Sequence, residues 1–196
     1  MSDHSTPPRP IRFRINYEKC LEGIQYLAAH QPGITQYYVG KVFFFADKAH
    51  LLDWGRPISG DRYMAMQHGP VPSTIYDILK DTSGEPDEII DSLLRKVSVK
   101  IEANRIHVFS REIQPEFRAL SRTDEEYLSA SLATYGKMNF TELRKLSHQD
   151  PAYEAAWMET GLNNEMNIAL WFEDRPDMLD ELLETAPIRK VRRIAA

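Results

Sequence analysis

The sequence is poor in cysteine and in long apolar runs, and both shortages exclude classes of protein. Its single cysteine, Cys20, has no second thiol for an internal disulfide and cannot supply a thiolate cluster for zinc. No run of about 18 or more apolar residues is present, and the N-terminal stretch MSDHSTPPRPIRFR lacks the apolar core of a secretory signal. We therefore expect a soluble, cytoplasmic protein of a reducing compartment, without a membrane partner, a metal or a cofactor.

Sequence motifs of common catalytic sites are also missing. The chain has no phosphate-binding loop, no nucleophile elbow, no dinucleotide fingerprint and no H-E-x-x-H among its six histidines. Asp47 and His50 lie on one predicted helical face, where a carboxylate can orient an imidazole, and His68 is a second candidate base. Simpler interpretations are a helix-end hydrogen bond or solvation for the pair, and a turn position for His68. A small hydrolase that uses Asp47, His50 or His68 stays an alternative, and it requires these side chains to converge in one pocket.

Charge is unevenly distributed along this acidic chain, whose formal net charge is −5. Residues 1–14 and 188–196 hold seven cations and one acid, which leaves 17 basic and 28 acidic side chains, a formal charge of −11, between them. Nucleic-acid phosphates attract clustered cations, so binding of nucleic acid by this acidic body is disfavoured. Aromatic residues of the second predicted helix surround only one cation, Lys41, which favours core packing over a stacking platform for single strands. Contact with nucleic acid is therefore expected only from the basic tail at 188–196.

The composition predicts one domain. A hydrophobic share of 42% among 196 residues is enough for a substantial core. Residues 1–14 are proline-rich and polar and are expected to be a disordered leader, with order beginning near Ile15. The domain is then expected at 15–160, a helical extension packed on it at 161–187, and the basic tail at 188–196.

Apolar spacing and helix-capping residues predict a mainly α fold (α+β) around a buried central helix. This helix is expected within residues 34–55, because the chain is apolar on nearly every side between Tyr37 and Ala46 and Gly55 ends it. The hydroxyl of Ser73 or Thr74 is expected to cap the following helix. Further helices are predicted over residues 16–30, 85–96, 151–159, 164–172 and 176–185, and after the capping pairs Thr123–Glu126 and Asn139–Glu142, with Asp150 as the cap before Pro151.

A small antiparallel β element is predicted between two of these helices. The stretch VSVKIEANRIHVF alternates apolar and polar residues on two arms, which is typical of a β-hairpin with its turn near Ala103 and Asn104. Residues 62–67 also have strand-like composition and are a candidate third strand of this sheet. The expected β structure is therefore a hairpin or a three-stranded sheet.

The stretch SGDRYMAMQHGPVPSTIYDILK, residues 59–80, has an unusual composition for a connection before a helix. Tyr, Arg and Met are residues that protein interfaces favour, and the two prolines remove two amide donors and fix two backbone angles. Alternation along a short strand predicts that one of Met64 and Met66 fills the core. We interpret the stretch as a rigid corner that serves as a docking edge, with Asp77 setting the next helix through its first turn. The residues expected to contact a protein partner are Asp61, Arg62, Tyr63, Met66, His68, Pro70 and Tyr76.

The same region carries a resemblance to a known family. It contains F-A-D-K-x-H on the central helix, G-R-P-I-x-G-D-x-Y after it and G-P-V-P-S-x-x-Y-D at the next helix, with S-H-x-D-P-x-Y-x-x-A-W further along. With these motifs the chain resembles the Panacea domain of SocA-like antitoxins, a domain also found in phage-associated proteins, from about Asn16 to Trp157. Phe44 is a small departure, at a position where family members often have another aromatic or an aliphatic residue.

The resemblance implies an antitoxin that binds and neutralises a toxin encoded beside it and has no enzymatic activity of its own. It also implies a variable partner, because similar domains are paired with unrelated toxins. Two other classes remain open: a proteolytic adaptor that delivers a bound partner to a AAA+ protease, which needs two separate surfaces, and the small hydrolase described above. Autoregulation through DNA binding is a weaker interpretation, because no helix-turn-helix is evident.

The basic tail generates a prediction of its own. The segment IRKVRRIAA, residues 188–196, carries four cations, which suits an unfolded handle for a protease or a clamp on an acidic partner, although a frayed terminus is the simpler interpretation. Deletion of residues 188–196 is expected to change intracellular half-life or partner affinity and to leave the melting temperature almost unchanged. Pulse-chase and binding measurements on the shortened chain test this expectation, and no change in either quantity would contradict it.

Overall fold

The computed structural model of the chain describes residues 8–81 and 87–185. Within these ranges the chain forms eight α-helices, one 3-10 helix and five strands, which confirms the predicted mainly α fold with a small antiparallel β element. The α-helices are α1 (Tyr17–His30), α2 (Gln36–Trp54), α3 (Ser73–Lys80), α4 (Glu88–Lys96), α5 (Arg122–Tyr135), α6 (Phe140–His148), α7 (Pro151–Met158) and α8 (Pro176–Thr185). The strands are β1 (Ile34–Thr35), β2 (Tyr63–Met66), β3 (Gly69–Pro72), β4 (Val97–Glu102) and β5 (Arg105–Ser110), and the 3-10 helix covers Ile168–Phe172.

Helix α2 is buried because apolar side chains occupy nearly all of its faces. Phe43 and Phe44 are both completely buried, Phe43 in one hydrophobic cluster and Phe44 in another. Gly55 ends the helix in the left-handed conformation, at φ 67°, where a residue without a side chain is favoured. The prediction of a buried central helix that ends at Gly55 is confirmed.

Two hydrophobic clusters form the core, and α2 contributes to both. The first cluster joins α2 to α1, α3, α4, α5 and the strands β1, β4 and β5. The second joins α2 to β2, α7, the 3-10 helix and α8, through residues such as Trp171 and Leu182. The C-terminal part of the chain up to α8 therefore packs on the same central helix as the rest. The helix expected over 164–172 is shorter than predicted and has 3-10 geometry.

Strands β4 and β5 form the predicted antiparallel hairpin, with Glu102 opposite Arg105 next to the turn. The turn residues Ala103 and Asn104 have positive φ, 47° and 59°, as a two-residue type I′ turn requires. The third strand of this sheet is β1, which pairs with β5 to give the order β1-β5-β4. The expectation that residues 62–67 supply this strand is wrong, because β2 pairs with β3 in a separate two-stranded sheet.

Helix α5 begins two residues before the expected position. The cap is Ser121 and not the expected Thr123. Ser121 forms a capping box with Asp124. Thr123 lies in the first turn of the helix, and its hydroxyl is 3.1 Å from the Ser121 hydroxyl. The caps of α6 and α7 were predicted correctly, since Asn139 and Asp150 accept hydrogen bonds from amides of the first turns.

Part of the expected disordered leader packs on the domain. Ile11 is only 3% exposed and belongs to the second hydrophobic cluster. The Arg12 guanidinium forms a bidentate ion pair with the Glu165 carboxylate, and both N–O distances are 2.7 Å. These contacts hold residues 8–14 against the C-terminal half of the domain, which differs from the expectation that order begins near Ile15.

The remaining parts of the expected leader and tail, residues 1–7 and 188–196, lie outside the described residues. Within residues 8–81 and 87–185, no helix combines the length and the apolar character that crossing a membrane requires.

Removal of the Phe43 ring is expected to destabilise the fold strongly. Phe43→Ala deletes a completely buried ring, and the lost burial together with the cavity left behind is expected to cost about 3–5 kcal/mol of unfolding free energy. Phe45→Ala is the matched control, because Phe45 is only half-buried and stacks on Tyr135 with a ring distance of 3.9 Å. Chemical denaturation measures both variants, and a control as unstable as Phe43→Ala would contradict the assignment.

Candidate partner-binding site

Residues 59–80 fold into a tight corner made of β2, a two-residue turn, β3 and α3. Gly69, the first residue of β3, has φ 97° and lies against α2 and α6. A Cβ atom at this position would come within 3.2 Å of the Lys41 Cε atom and still closer to the Ser147 hydroxyl. Glycine is therefore required for the hairpin to approach these two helices.

A buried carboxylate, Asp47, holds the beginning of the corner on α2. It accepts hydrogen bonds from the amides of Ile58 and Ser59 at 2.8 and 3.0 Å. The hydroxyls of Ser59 and Tyr63 donate two more, the latter at 2.7 Å. Burial raises the pKa of Asp47, and the hydrogen bonds oppose this rise because they stabilise the ionised form. The carboxylate thus fixes the loop after α2 and the start of β2.

Asp61 caps helix α3 from a position before the hairpin. Its carboxylate accepts hydrogen bonds from the Thr74 amide at 3.0 Å and the Ile75 amide at 2.9 Å. The expectation that the hydroxyl of Ser73 or Thr74 caps this helix is wrong, because the N-cap residue of α3 has no side-chain cap. Burial raises the pKa of Asp61, and the backbone hydrogen bonds act against that rise.

Asp61 and Tyr63 therefore stabilise the fold, and the expectation that they form part of an exposed edge is not met. Both are buried, and Tyr63 is only 2% exposed. Alternation along β2 buries Tyr63 and Ala65, so that Met64 and Met66 are half-buried on the other face. The expectation that one of the two methionines fills the core is wrong, because Met64 and Met66 are two residues apart and share the face of β2 that points away from the core.

Four of the seven expected contact residues line one cavity beside the hairpin. We name it the hairpin cavity; its volume is about 370 Å³, and residues of α2, the β2–β3 hairpin and α3 form most of its wall. The expected contact residues in this wall are Met66, His68, Pro70 and Tyr76. Arg62 lies outside the wall, where it is exposed and its guanidinium is 3.7 Å from the Glu165 carboxylate.

A second concavity, which we name the outer groove, adjoins the hairpin cavity. Its volume is about 530 Å³. The residues that line both are Gln36, Tyr37, His68 and Tyr76, and those that extend the outer groove include Lys80, Arg105 and Phe140. The two concavities therefore make one continuous surface that runs from α2 and the hairpin to the turn of β4 and β5.

Lys41 is a buried cation in the wall of the hairpin cavity. Its side chain is 1% exposed, its ammonium donates a hydrogen bond to the Pro70 carbonyl at 2.7 Å, and it lies 4.9 Å from the centre of the Tyr37 ring. Burial lowers the pKa of Lys41 to about 7. Sequence reasoning missed its place in the site, although Lys41 stood out as the one cation within the aromatic run of α2.

The Tyr37 hydroxyl is buried and has no hydrogen-bond partner among the described residues. Burial raises the pKa of Tyr37 to about 12, so the hydroxyl keeps its proton. Since Tyr37 lines both concavities, it offers an unused hydrogen-bond donor beside Lys41.

The candidate hydrolase residues are not brought together. His50 is buried, with Nδ1 2.8 Å from the Arg56 carbonyl just beyond the helix and Nε2 3.1 Å from the Thr123 hydroxyl. Asp47 bonds to the corner described above, and His68 lies in the cavity wall with its ring 5.4 Å from that of Phe140. The interpretation that Asp47 and His50 are solvated is wrong, because both are buried. The interpretation of a helix-end hydrogen bond is correct for His50, whose Nδ1 contacts the Arg56 carbonyl. Within residues 8–81 and 87–185, no group of three or more His, Cys, Asp or Glu side chains is placed to hold a metal ion.

Loss of the Asp61 carboxylate is expected to destabilise the corner. Asp61→Ala leaves two amides at the start of α3 without their acceptor inside the protein, which is expected to cost about 1–3 kcal/mol of unfolding free energy. Asp77→Ala is the matched control, because Asp77 is exposed and the first turn of α3 contains no acidic residue, contrary to expectation. Denaturation of both variants measures the difference, and equal stability would show that Asp61 does not hold the helix.

Comparison with protein-family models gives a match over residues 39–154 with the family described as antitoxin SocA-like, Panacea domain. The matched region is more than half of the chain and includes α2 from Val39 onward, both strands of the corner and α3. Comparison with curated proteins and comparison with solved structures gave no match. The chain belongs to the Panacea-domain family of SocA-like antitoxins.

Proposed function

We propose that the protein is an antitoxin that neutralises a cognate protein toxin by direct binding, and that the hairpin cavity with the outer groove is the docking surface. Membership of the family supports an antitoxin role. The location is supported by one observation above all: Met66, His68, Pro70 and Tyr76, which sequence composition singles out as contact residues, line a single cavity. In this mechanism the antitoxin acts by occlusion of the toxin.

The side chains around the two concavities suit recognition of a protein. Phe140 is 44% exposed, and the exposed His68 ring meets it edge-on. Tyr76 and Met66 are half-buried at the opening, where an aromatic ring and an adaptable thioether offer apolar area to an incoming side chain. Aromatic and methionine side chains of this kind are enriched at protein interfaces.

The docking surface is held rigid from beneath. Asp47 fixes the loop before β2, and Asp61 fixes the start of α3. Pro70 and Pro72 restrict the backbone of β3 between these points. A surface that is already ordered loses little conformational entropy on binding, which favours affinity without a larger contact area.

Strand addition to β3 is disfavoured as the docking mode. Pro70 and Pro72 have no amide hydrogen, so β3 lacks two of the donors that a partner strand would need. The Pro70 carbonyl also accepts the hydrogen bond of Lys41. The partner is therefore expected to bind through side chains that enter the concavities.

A proteolytic adaptor is the second candidate function, and one observation favours it. The end of α7 and the loop after it expose Trp157, Met158 and Leu162, which do not line either concavity. Exposed apolar side chains that lie near one another in the sequence are candidates for a second interaction surface, which an adaptor needs. A measurement of toxin lifetime with and without a AAA+ protease separates the two functions, because occlusion leaves the toxin intact.

The docking surface is tested by co-expression with the product of the neighbouring open reading frame. His68→Ala with Tyr76→Ala is expected to abolish growth rescue and co-purification, while the melting temperature and the far-UV spectrum stay near those of the parent. The double variant Arg122→Ala with Glu126→Ala is the matched control, because this exposed pair on α5 lies outside both concavities. Full neutralisation by a folded His68→Ala, Tyr76→Ala variant would place the docking surface elsewhere.

Arg62 and Tyr63 are not the right pair for this test, although both were expected contact residues. Tyr63→Ala would remove a buried ring and a hydrogen bond to Asp47, so loss of binding could not be separated from loss of the fold. Arg62→Ala alone is informative, because Arg62 is exposed at the edge of the corner.

A further inference from the structure

Among residues 8–81 and 87–185, the walls of the two concavities contain basic side chains and no acidic one. Neither the hairpin cavity nor the outer groove is lined by a described Asp or Glu, although the sequence contains 29 acidic residues and only 24 Lys and Arg. The basic side chains are Lys41 in the hairpin cavity and Lys80 and Arg105 in the outer groove. The local sign of charge is thus opposite to that of the protein as a whole, which favours an anionic partner at this surface.

Lys41 is more deeply buried than Lys19 and Lys48, and unlike them it has no counter-ion among the described residues. Lys19 pairs with Asp124 at 2.5 Å and Lys48 pairs with Asp150 at 2.6 Å, whereas no ion pair among the described residues includes Lys41. The Lys41 ammonium has three donors, and the Pro70 carbonyl takes one of them. Burial of an unpaired cation is unfavourable, so a carboxylate brought to Lys41 would relieve a cost that the fold already carries.

We infer that the hairpin cavity receives a carboxylate-bearing side chain from the partner protein, which pairs with the Lys41 ammonium while its apolar stem fills the cavity. This inference rests on the proposed docking function and adds the chemistry of the bound segment. Tyr37, whose ring lies 4.9 Å from the Lys41 ammonium, also has a buried hydroxyl without a partner among the described residues, and this hydroxyl is a candidate second donor to the carboxylate.

The geometry favours an acidic protein segment over other anions. A phosphate group needs several strong donors to replace its hydration, and the hairpin cavity has one buried ammonium within mostly apolar walls. A glutamate or aspartate needs one cation and presents methylene groups to the walls. Four residues line both the hairpin cavity and the outer groove, so the two are continuous. If the acidic side chain of the partner enters the hairpin cavity, the outer groove can bind the residues next to it in the partner's sequence.

Pairing at Lys41 makes binding depend on pH in a defined direction. In the unbound protein the pKa of Lys41 is about 7, so its amine is mostly neutral at pH 8. A bound carboxylate raises this pKa because it stabilises the charged form. The titratable and charged groups near Lys41 are Tyr37 on α2, His68 in the hairpin turn, and Arg144 and His148 on α6. None of these groups is a carboxylate, and the Tyr37 phenol stays neutral, so none of them supplies the counter-ion. Binding is therefore coupled to proton uptake and weakens as pH rises above 7.

Calorimetry on the antitoxin and the purified product of the neighbouring reading frame tests the inference, first with the parent protein and then with two variants. At pH 8, titrations in phosphate and in Tris buffer are expected to show uptake of about 0.9 proton per complex, and affinity is expected to be about tenfold lower at pH 8 than at pH 6. Lys41→Met, which keeps the length of the side chain, is expected to lose this proton uptake and to bind at least about tenfold more weakly at pH 6. Lys100→Met, at an exposed lysine of β4 outside both concavities, is the matched control and is expected to behave like the parent.

The failure of this inference is distinguishable from the failure of the proposed function. One pair of results would overturn the inference and leave the docking surface intact. In that case the His68→Ala, Tyr76→Ala variant loses binding, while Lys41→Met keeps the affinity and the proton uptake of the parent. If the toxin does not bind at all, NMR titration with 3-phenylpropionate, its neutral amide and inorganic phosphate tests the cavity alone. Preference for the acid that Lys41→Met abolishes supports the inference; equal binding of acid and amide, absence of acid binding, or preference for phosphate overturns it.

Discussion

The hydrogen bonds of the Asp47 carboxylate are the interaction on which the geometry of the candidate site depends. An ionised group inside a protein is costly unless donors replace the water that it has lost. Four donors between Ile58 and Tyr63 meet that need, so the chain that leaves the central helix is drawn back onto α2 at one defined place. The hairpin begins there, and the position of the cavity between hairpin and helix follows from it.

Two more aspartates extend the same construction. Asp61 bonds to the amides at the start of α3, so the loop, the hairpin and the helix form one connected unit. Asp150 accepts a hydrogen bond from the Trp171 indole at 3.0 Å and pairs with Lys48, which joins α2 and α7 to the 3-10 helix. All three aspartates belong to the motifs that carry the family resemblance. Much of that pattern therefore serves the architecture, and the proposed docking surface is built from residues between its fixed points.

Rigid support and an open surface suit an inhibitor that works by binding. The corner is ordered before a partner arrives, while the hairpin cavity and the outer groove present Met66, Tyr76 and Phe140 as side chains that adapt to different shapes. In a protein of negative net charge, the basic side chains of this surface disfavour other basic groups and favour acidic ones. The aspartates that hold the corner and the side chains that line the proposed docking surface are thus different residues of the same short stretch of chain.

The sequence by itself determined the features that depend on neighbours along the chain: the helical class, the burial of α2, the end of that helix at Gly55, the turn at Ala103 and Asn104, and the family. These features follow from periodicity and from capping and turn residues within a few positions of each other. Tertiary structure alone decided that Tyr63 rather than a methionine faces the core, that Asp61 caps α3 across the whole hairpin, and that Lys41 lines a cavity in which no described residue supplies a counter-ion. Each of these features depends on which distant segments meet. No local pattern in the sequence reveals the phase of a four-residue strand, a cap from 13 residues away or the surroundings of a buried amine.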